Sequence, residues 1–462
     1  MRENITRMLI RFVINNILSF GQQKELSMMA NTRLKTCQEH VYPLGNLGIL
    51  KLAAIYGANG AGKSNLIKAL AMLKQMVLKE AIPMKLKNGQ FKFQAHKEGE
   101  KQLLAIEFVE ENTVLYYGIE ILNGIICTEE LYESGAGITE DKLIFERKTD
   151  ENLRTSVLFS EEFEKEAKNQ VLKEILLKEF VKPHKPILKL MADRENEALV
   201  LAKKAYTWFK STLTIITPDV KAAGLVYSIE TDKNFKRYID QIMCAFHVGI
   251  TGLSTQNEKI EDFFGWGNEV KCAEYIEKIE DSPQKRIQFR NKNGNYVLLV
   301  KENNEYFAKK LQILHKGGKD ISAAFEIEEE SDGTIRLLDL VPVFGDLIWH
   351  KKAYFIDEIE RSLHPLLIKE LVKKFSADKD TQGQLVFTTH ESHLLDQEIF
   401  RQDEIWFAEK DSTGSTDLYS LNSFKEHKTI DIQKGYLNGR YGSIPFLGNL
   451  SDLNWHNYVT EK

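Results

Sequence analysis

Eight residues constrain this chain more than any others: Gly57-Ala58-Asn59-Gly60-Ala61-Gly62-Lys63-Ser64. The apolar run Leu50-Lys51-Leu52-Ala53-Ala54-Ile55-Tyr56 precedes them and Asn65-Leu66-Ile67-Lys68-Ala69-Leu70 follows, so the order reads strand, glycine loop, helix. Every fixed position of G-x-x-x-x-G-K-[ST] is satisfied. Glycines let successive N–H groups curl toward phosphate oxygens, and the helix that follows adds partial positive charge at its N-terminus. On this reading Asn59, Gly60, Ala61, Gly62, Lys63 and Ser64 bind ATP. Lys63 reaches the β- and γ-phosphates, and the Ser64 hydroxyl is a ligand of Mg²⁺. The bland alternative is a glycine turn that binds nothing.

Four further sites bear on that loop. Ala353-Tyr354-Phe355-Ile356-Asp357-Glu358 is a buried strand ending in two acids. Asp357 suits a Mg²⁺ contact and Glu358 suits polarising the attacking water. Without the glycine loop, the same two acids would serve equally well as caps of the next helix. Thr388-Thr389-His390 closes the apolar strand Gln384-Leu385-Val386-Phe387, and there His390 can sense the γ-phosphate. Glu330-Ser331-Asp332-Gly333-Thr334 opens the helical run Ile335–Leu340, and Ser331 with Gly333 makes a second candidate anion site. Taken alone, that segment is an N-cap without a ligand. Ile359-Glu360-Arg361-Ser362-Leu363-His364-Pro365 follows the acids directly and is expected at a subunit boundary.

Length and charge narrow the classes. A chain of 462 residues has room for two or three domains. Its net charge of −5 gives no global pull toward nucleic acid or membrane. Nothing approaches 18 uninterrupted apolar residues, so no membrane span and a cytoplasmic location are expected. The cysteines Cys37, Cys127, Cys244 and Cys272 are scattered without a C-x-x-C, which favours reduced thiols over disulfides or a zinc site.

Residues 8–14 read as a first strand, and Phe91 to about Phe145 as an antiparallel meander. From Ser160 to about Lys210 the chain turns Lys-, Glu- and Leu-rich with helical period, as in a pair of exposed helices forming an arm or lid. Short strands return at Arg286–Arg290, Val297–Val300 and Leu311–His315. The expected division is 1–155 for the N-terminal part of a head, 156–280 for a helical insertion and 281–462 for the rest of the head.

The five motifs, in this order and spacing, resemble the ATP-binding-cassette core, including the heads of SMC-type and DNA-repair ATPases. The resemblance implies an α/β P-loop NTPase head with an antiparallel or mixed β subdomain and a helical insertion arm. It also implies head-to-head pairing, as a dimer or a higher even oligomer, with the serine–glycine segment of one subunit touching the ATP of the other. The usual leucine–serine–glycine–glycine–glutamine signature reads Glu330-Ser331-Asp332-Gly333-Thr334 here.

A narrower set of residues is similar to bacterial ATPases related to OLD proteins. It comprises Asn16-Ile17-Leu18-Ser19-Phe20, Gly57–Asn65, Ser331–Thr334, Asp357-Glu358 with Ser362-Leu363-His364-Pro365, Thr388-Thr389-His390, and Gly439-Arg440-Tyr441-Gly442-Ser443-Ile444-Pro445. In size and layout the chain resembles the ATPase subunits of PARIS anti-phage defence systems, whose partner is a TOPRIM nuclease. That resemblance implies an ATP hydrolase that senses a phage protein and controls a separate nuclease effector. The 72 residues after His390 hold no D-x-D motif, so an effector is expected on another chain. Arg33 and His40 have R-x₆-H spacing and read better as loop residues than as an RNase site. The competing reading is a DNA-engaging, SMC- or repair-like ATPase, which needs a basic groove. A transporter ATPase, the third class, needs a membrane partner, and the long insertion argues against it.

Overall fold

A computed structural model describes residues 6–93, 99–218, 224–246, 249–292, 294–317, 321–424, 426–427 and 430–444. Its centre is a six-stranded sheet of β1 (Leu52–Tyr56), β2 (Leu213–Ile216), β3 (Ala353–Ile356), β4 (Gln384–Thr388), β5 (Ile405–Lys410) and β6 (Thr416–Ser420), in the order β2-β3-β4-β1-β5-β6. All neighbours are parallel except the antiparallel β5–β6 pair. Both faces are covered, which is why these strands read as continuous apolar runs. Ala53, Ile55, Phe355 and Val386 enter one core, while Leu52, Ala54, Tyr354, Leu385 and Phe387 enter the other.

The first core lies between the central sheet, α1 (Lys63–Lys79) and a seven-stranded antiparallel sheet. That second sheet runs in the order Thr155–Phe159, Lys142–Thr149, Ile125–Glu133, Thr113–Leu122, Gln102–Glu110, Arg7–Asn15, Lys24–Ser27. It contains the expected first strand and meander. Helix α1 buries Leu66, Ile67, Leu70, Leu73, Met76 and Val77, the apolar stripe visible in the sequence. On the opposite face, α2 (Asp332–Trp349) and α3 (Pro365–Ala377) cover the second core.

A five-stranded sheet lies beyond α2. It pairs Ile250–Lys259, Glu305–Lys316, Tyr296–Glu302 and Arg286–Arg290 in that order, with Ser322–Glu326 also on Glu305–Lys316. The P-loop α/β head with an antiparallel β subdomain is therefore the fold observed.

One expectation is corrected. The charged stretch from Ser160 to Lys210 is not a free arm, because its apolar side packs on the antiparallel sheet. Phe163, Leu176, Leu188, Met191, Leu199, Trp208 and Phe209 are all buried in the first core. Trp208 stacks on Phe108 with ring centroids 4.3 Å apart. Glu129, fully buried, accepts from the backbone N of Ile187 (2.8 Å) and Leu188 (3.0 Å) and pins this segment to the sheet. The lysines and glutamates lie on the remaining, solvated side. The next residues, Leu213–Ile216, form β2 of the central sheet, so the interval 156–280 is not continuously helical.

Candidate nucleotide site

Parallel sheets bind ligands beyond the C-terminal ends of their strands. At that end β1 runs into the glycine loop, β3 into Asp357-Glu358 and β4 into Thr389-His390, and these three strands are adjacent. Lys63 and His390, 327 positions apart in sequence, thus meet in one place.

Gly62 shows why the loop needs glycine. Its φ is +111°, and a Cβ there would collide with Thr416 Oγ1 and lie 2.8 Å from Ser19 Oγ. Thr416 donates to Ala61 O at 2.8 Å and lies 2.8 Å from Ser19 Oγ, so the Asn16–Phe20 motif and β6 brace the loop from behind. Gly60 also has positive φ (+80°), with open space where a Cβ would be. Helix α1 starts at Lys63 with neither a side-chain cap nor an acid in its first turn, which leaves its positive end for an incoming anion.

Lys63 Nζ donates to Gly57 O (2.7 Å) and Ala58 O (3.2 Å) and stands 3.2 Å from His390 Nδ1. Burial pulls its pKa down to about 8, against the opposing pull of Glu360, Asp357 and Glu358. His390 is also held below its ordinary value, first by burial and then by Lys63. Its backbone N donates to Glu360 Oε1 at 2.7 Å.

Ser64 Oγ donates to Asp357 Oδ1 at 3.0 Å, and Thr388 Oγ1 donates to the same oxygen at 2.6 Å. A hydroxyl and a carboxylate side by side are hard oxygen donors, the set that Mg²⁺ takes alongside phosphate and water. Glu358 has a left-handed backbone (φ 49°), a conformation that costs a non-glycine residue roughly 1–3 kcal/mol. Its N–H donates to Thr388 Oγ1 at 2.8 Å and its carbonyl accepts from Arg336 Nη2 at 3.3 Å. Among the described residues its carboxylate has no hydrogen-bond partner.

Ser331 caps α2 by accepting from Thr334 N at 3.2 Å. It is not joined to the glycine loop of its own chain. Gly333 instead packs on the segment after the acids, where a Cβ would lie 2.9 Å from Ser362 O. The structure thus brings Lys63, Ser64, Asp357, Glu358 and His390 together, whereas Gly333 lies against Ser362 and Ser331 is engaged with Thr334.

Gly439–Ile444 forms a cap on β5. Tyr441 stacks on Phe407 (5.5 Å), and Ser443 N donates to Glu409 Oε2 at 3.0 Å. Pro445 lies outside the described residues.

Sequence reasoning missed Thr388, Thr416, Glu360 and Arg336 as site residues. Arg336 is buried one turn into α2 and reaches the Glu358 carbonyl, so it ties the Ser331 helix to the acids. Also missed was a cleft of about 610 Å³ beside the loop, lined by Ser19, Asn65, Met84, Phe91, Phe93 and Lys410.

Three solved structures cover nearly the whole chain at low identity. An SMC head bound to the C-winged helix domain of ScpA is 15% identical over 90% of this chain and 99% of that one, with a TM-score of 0.40. The SMC head domain from Thermotoga maritima is 10% identical (89% and 98% covered, TM-score 0.38). An SMC head with an extended coiled coil, bound to the C-terminal domain of ScpA and derived from Pyrococcus furiosus, is 13% identical (91% and 98%, TM-score 0.35). No curated protein matches the sequence. One family matches residues 52–197 and 245–396, a span that starts at β1 and takes in the glycine loop, the two acids and His390. With well over half of its length matched, the chain belongs to the family described as "AAA domain, putative AbiEii toxin, Type IV TA system".

Proposed function

We propose that this protein is an ATP hydrolase whose heads work in pairs, and that it serves as sensor and scaffold of an anti-phage defence system. The observation that carries the ATPase reading is the convergence of Lys63 and Ser64 with Asp357, Glu358 and His390 at the ends of three neighbouring strands. Asn59, Gly60, Ala61 and Gly62 present backbone N–H groups to the phosphates, and Lys63 neutralises them. Ser64 and Asp357 hold Mg²⁺, which supplies charge neutralisation at the phosphate oxygens. Glu358, with its carboxylate unengaged, accepts a proton from the attacking water. His390 takes the Lys63 proton contact on Nδ1 and keeps its Nε2–H for the γ-phosphate. The cleft by Phe91 and Phe93 receives the base and ribose.

Pairing rests on the resemblance to the ATP-binding-cassette layout, and the placement of Ser331 and Gly333 supports it. Gly333 lies against Ser362 and Ser331 caps its own helix at Thr334, with no hydrogen bond from either to their own glycine loop among the described residues, so in this reading their anion site serves the ATP of a second head. The wider role rests on two supports. The family description names a toxin of a type IV toxin–antitoxin system. The motifs shared with OLD-related ATPases, and the similarity to PARIS ATPase subunits, support a phage-protein trigger and a separate TOPRIM-type nuclease effector. The proposed head comprises 1–155 and 281–462 together with the part of 156–280 that packs in its first core and supplies Leu213–Ile216 to its central sheet.

The experiment is ATP turnover by the purified full chain, together with its mass in solution with and without ATP. ATP-dependent pairing and turnover lost in Glu358→Gln are expected. A chain that hydrolyses ATP strictly as a monomer removes the pairing, and one that binds no ATP removes the whole reading. Co-purification with the product of a neighbouring nuclease gene tests the effector role.

A further inference from the structure

Among the described residues, one cluster of potential metal ligands lies outside the nucleotide site. The short turn Gln38–His40 follows Cys37, whose backbone is left-handed (φ 45°, ψ 55°). A conformation so unfavourable for a β-carbon-bearing residue persists only when the surroundings hold it. Here it brings the Cys37 thiol, the Glu39 carboxylate and a ring nitrogen of His40 within 4.8 Å of one another. Ligands of a tetrahedral ion with bonds of about 2.0–2.3 Å sit roughly 3.3–3.8 Å apart, so a small closure completes the set.

The second observation is what holds the imidazole. His40 is 2% exposed, and its Nδ1 lies 3.0 Å from both oxygens of Glu404, which is itself fully buried. A carboxylate on Nδ1 fixes the proton there and leaves the Nε2 lone pair for a metal, the arrangement in which metal-bound histidines are usually found. Nε2 has no hydrogen-bond partner among the described residues. The loop is anchored independently of any ion. Arg401 donates to Thr36 O (2.8 Å) and Asn31 O (3.2 Å), and Asn31 N donates to Asp403 Oδ2 (2.7 Å).

We propose that Cys37, Glu39 and His40 form a three-ligand site for a transition-metal ion of the Zn²⁺ class, with Glu404 as the positioning residue of His40. Sulfur, nitrogen and oxygen together select zinc over Mg²⁺, which takes oxygen alone. Three protein ligands leave a fourth position for water. Binding releases the thiol proton to solvent. Glu404 precedes β5 at the N-terminal end of the sheet, opposite the glycine loop, so this site is separate from the Mg²⁺ position at Ser64 and Asp357. All three ligands lie on the 37–40 turn, so the ion would close that turn while Glu404, through His40, links it to the 401–404 segment. Scanning for paired cysteines overlooks it, because its spacing is C-x-E-H.

The test is Co²⁺ titration of the tag-free full chain after chelator treatment. We expect a thiolate-to-cobalt charge-transfer band that saturates at one equivalent and is bleached by Zn²⁺. Cobalt held by the oxygens of Ser64 and Asp357 gives no such band. Cys37→Ser should abolish it, and a variant with Cys127, Cys244 and Cys272 all changed to Ser should retain it. Glu39→Gln, at a half-buried position, should keep the band and weaken binding by about tenfold or more. Thermal melts establish that each variant is folded. Absence of the band in the folded wild type, or its persistence in folded Cys37→Ser, overturns the proposal.

Discussion

Lys63 Nζ stands 3.2 Å from His390 Nδ1, a contact across 327 residues of sequence. The ammonium has only donors, so the imidazole accepts on Nδ1 and carries its proton on Nε2. The two residues therefore have separable tasks. Lys63→Ala should weaken ATP binding by at least about 100-fold, since the point charge for the γ-phosphate is gone. His390→Ala should bind ATP within about threefold of wild type and lose most turnover. Calorimetry and steady-state rates separate the two. Equal loss of binding in both variants makes the pair a single binding unit.

Glu358→Gln keeps the shape of the side chain but cannot take a proton from water. Turnover should fall by about 10²–10⁴-fold with ATP still bound. ATP-bound pairs should then accumulate, visible as a mass shift by light scattering. Wild-type rates in this variant would remove Glu358 from catalysis.

The residues that meet at the candidate site were legible because strand-end motifs carry their own chemistry: a strand, then a glycine loop, two acids or a histidine. What was not legible depended on tertiary contact. Residues 160–210 look like a wet arm since their exposed side is densely charged, yet Phe163, Leu176, Leu188, Met191 and Leu199 enter the first core and Trp208 and Phe209 pack on Phe108. Helix α2 was read only as far as Leu340 and runs to Trp349 through Pro342. A proline inside a helix reads as a breaker, but burial against the second core carries the helix past it. Arg336 could be assigned only from the position of the Glu358 carbonyl.

Trp208→Ala tests the corrected placement of that segment. The indole is fully buried and stacked on Phe108, so truncation should destabilise the head by roughly 3–5 kcal/mol. An exposed arm would lose less than about 0.5 kcal/mol on such a change. Urea unfolding followed by circular dichroism decides between them.

Arg336→Met removes the hydrogen bond from the Ser331 helix to the left-handed Glu358. A hydrogen bond from a charged donor contributes about 1.5–3 kcal/mol, so turnover should drop roughly 10–100-fold with ATP affinity unchanged. Unchanged turnover would leave Arg336 without a part in setting Glu358. A parallel loss of binding and melting temperature would give it a folding role instead.

Ser331 tests pairing most directly. Its hydroxyl and the positive end of α2 together suit a γ-phosphate, yet within one chain Ser331 caps Thr334 and Gly333 packs on Ser362. Ser331→Arg should therefore leave ATP binding to a lone subunit intact and block hydrolysis by crowding the composite site. Mixing it with Lys63→Ala, which is also inactive alone, is the informative step. In a mixed pair one site carries both lesions and the other carries neither, so each such pair should work at about half the rate of a wild-type pair. Mixed pairs are identified by differently tagged subunits, and turnover is measured on the purified mixture. If they form and show no activity, the two motifs act within one subunit or Ser331 has no part in hydrolysis.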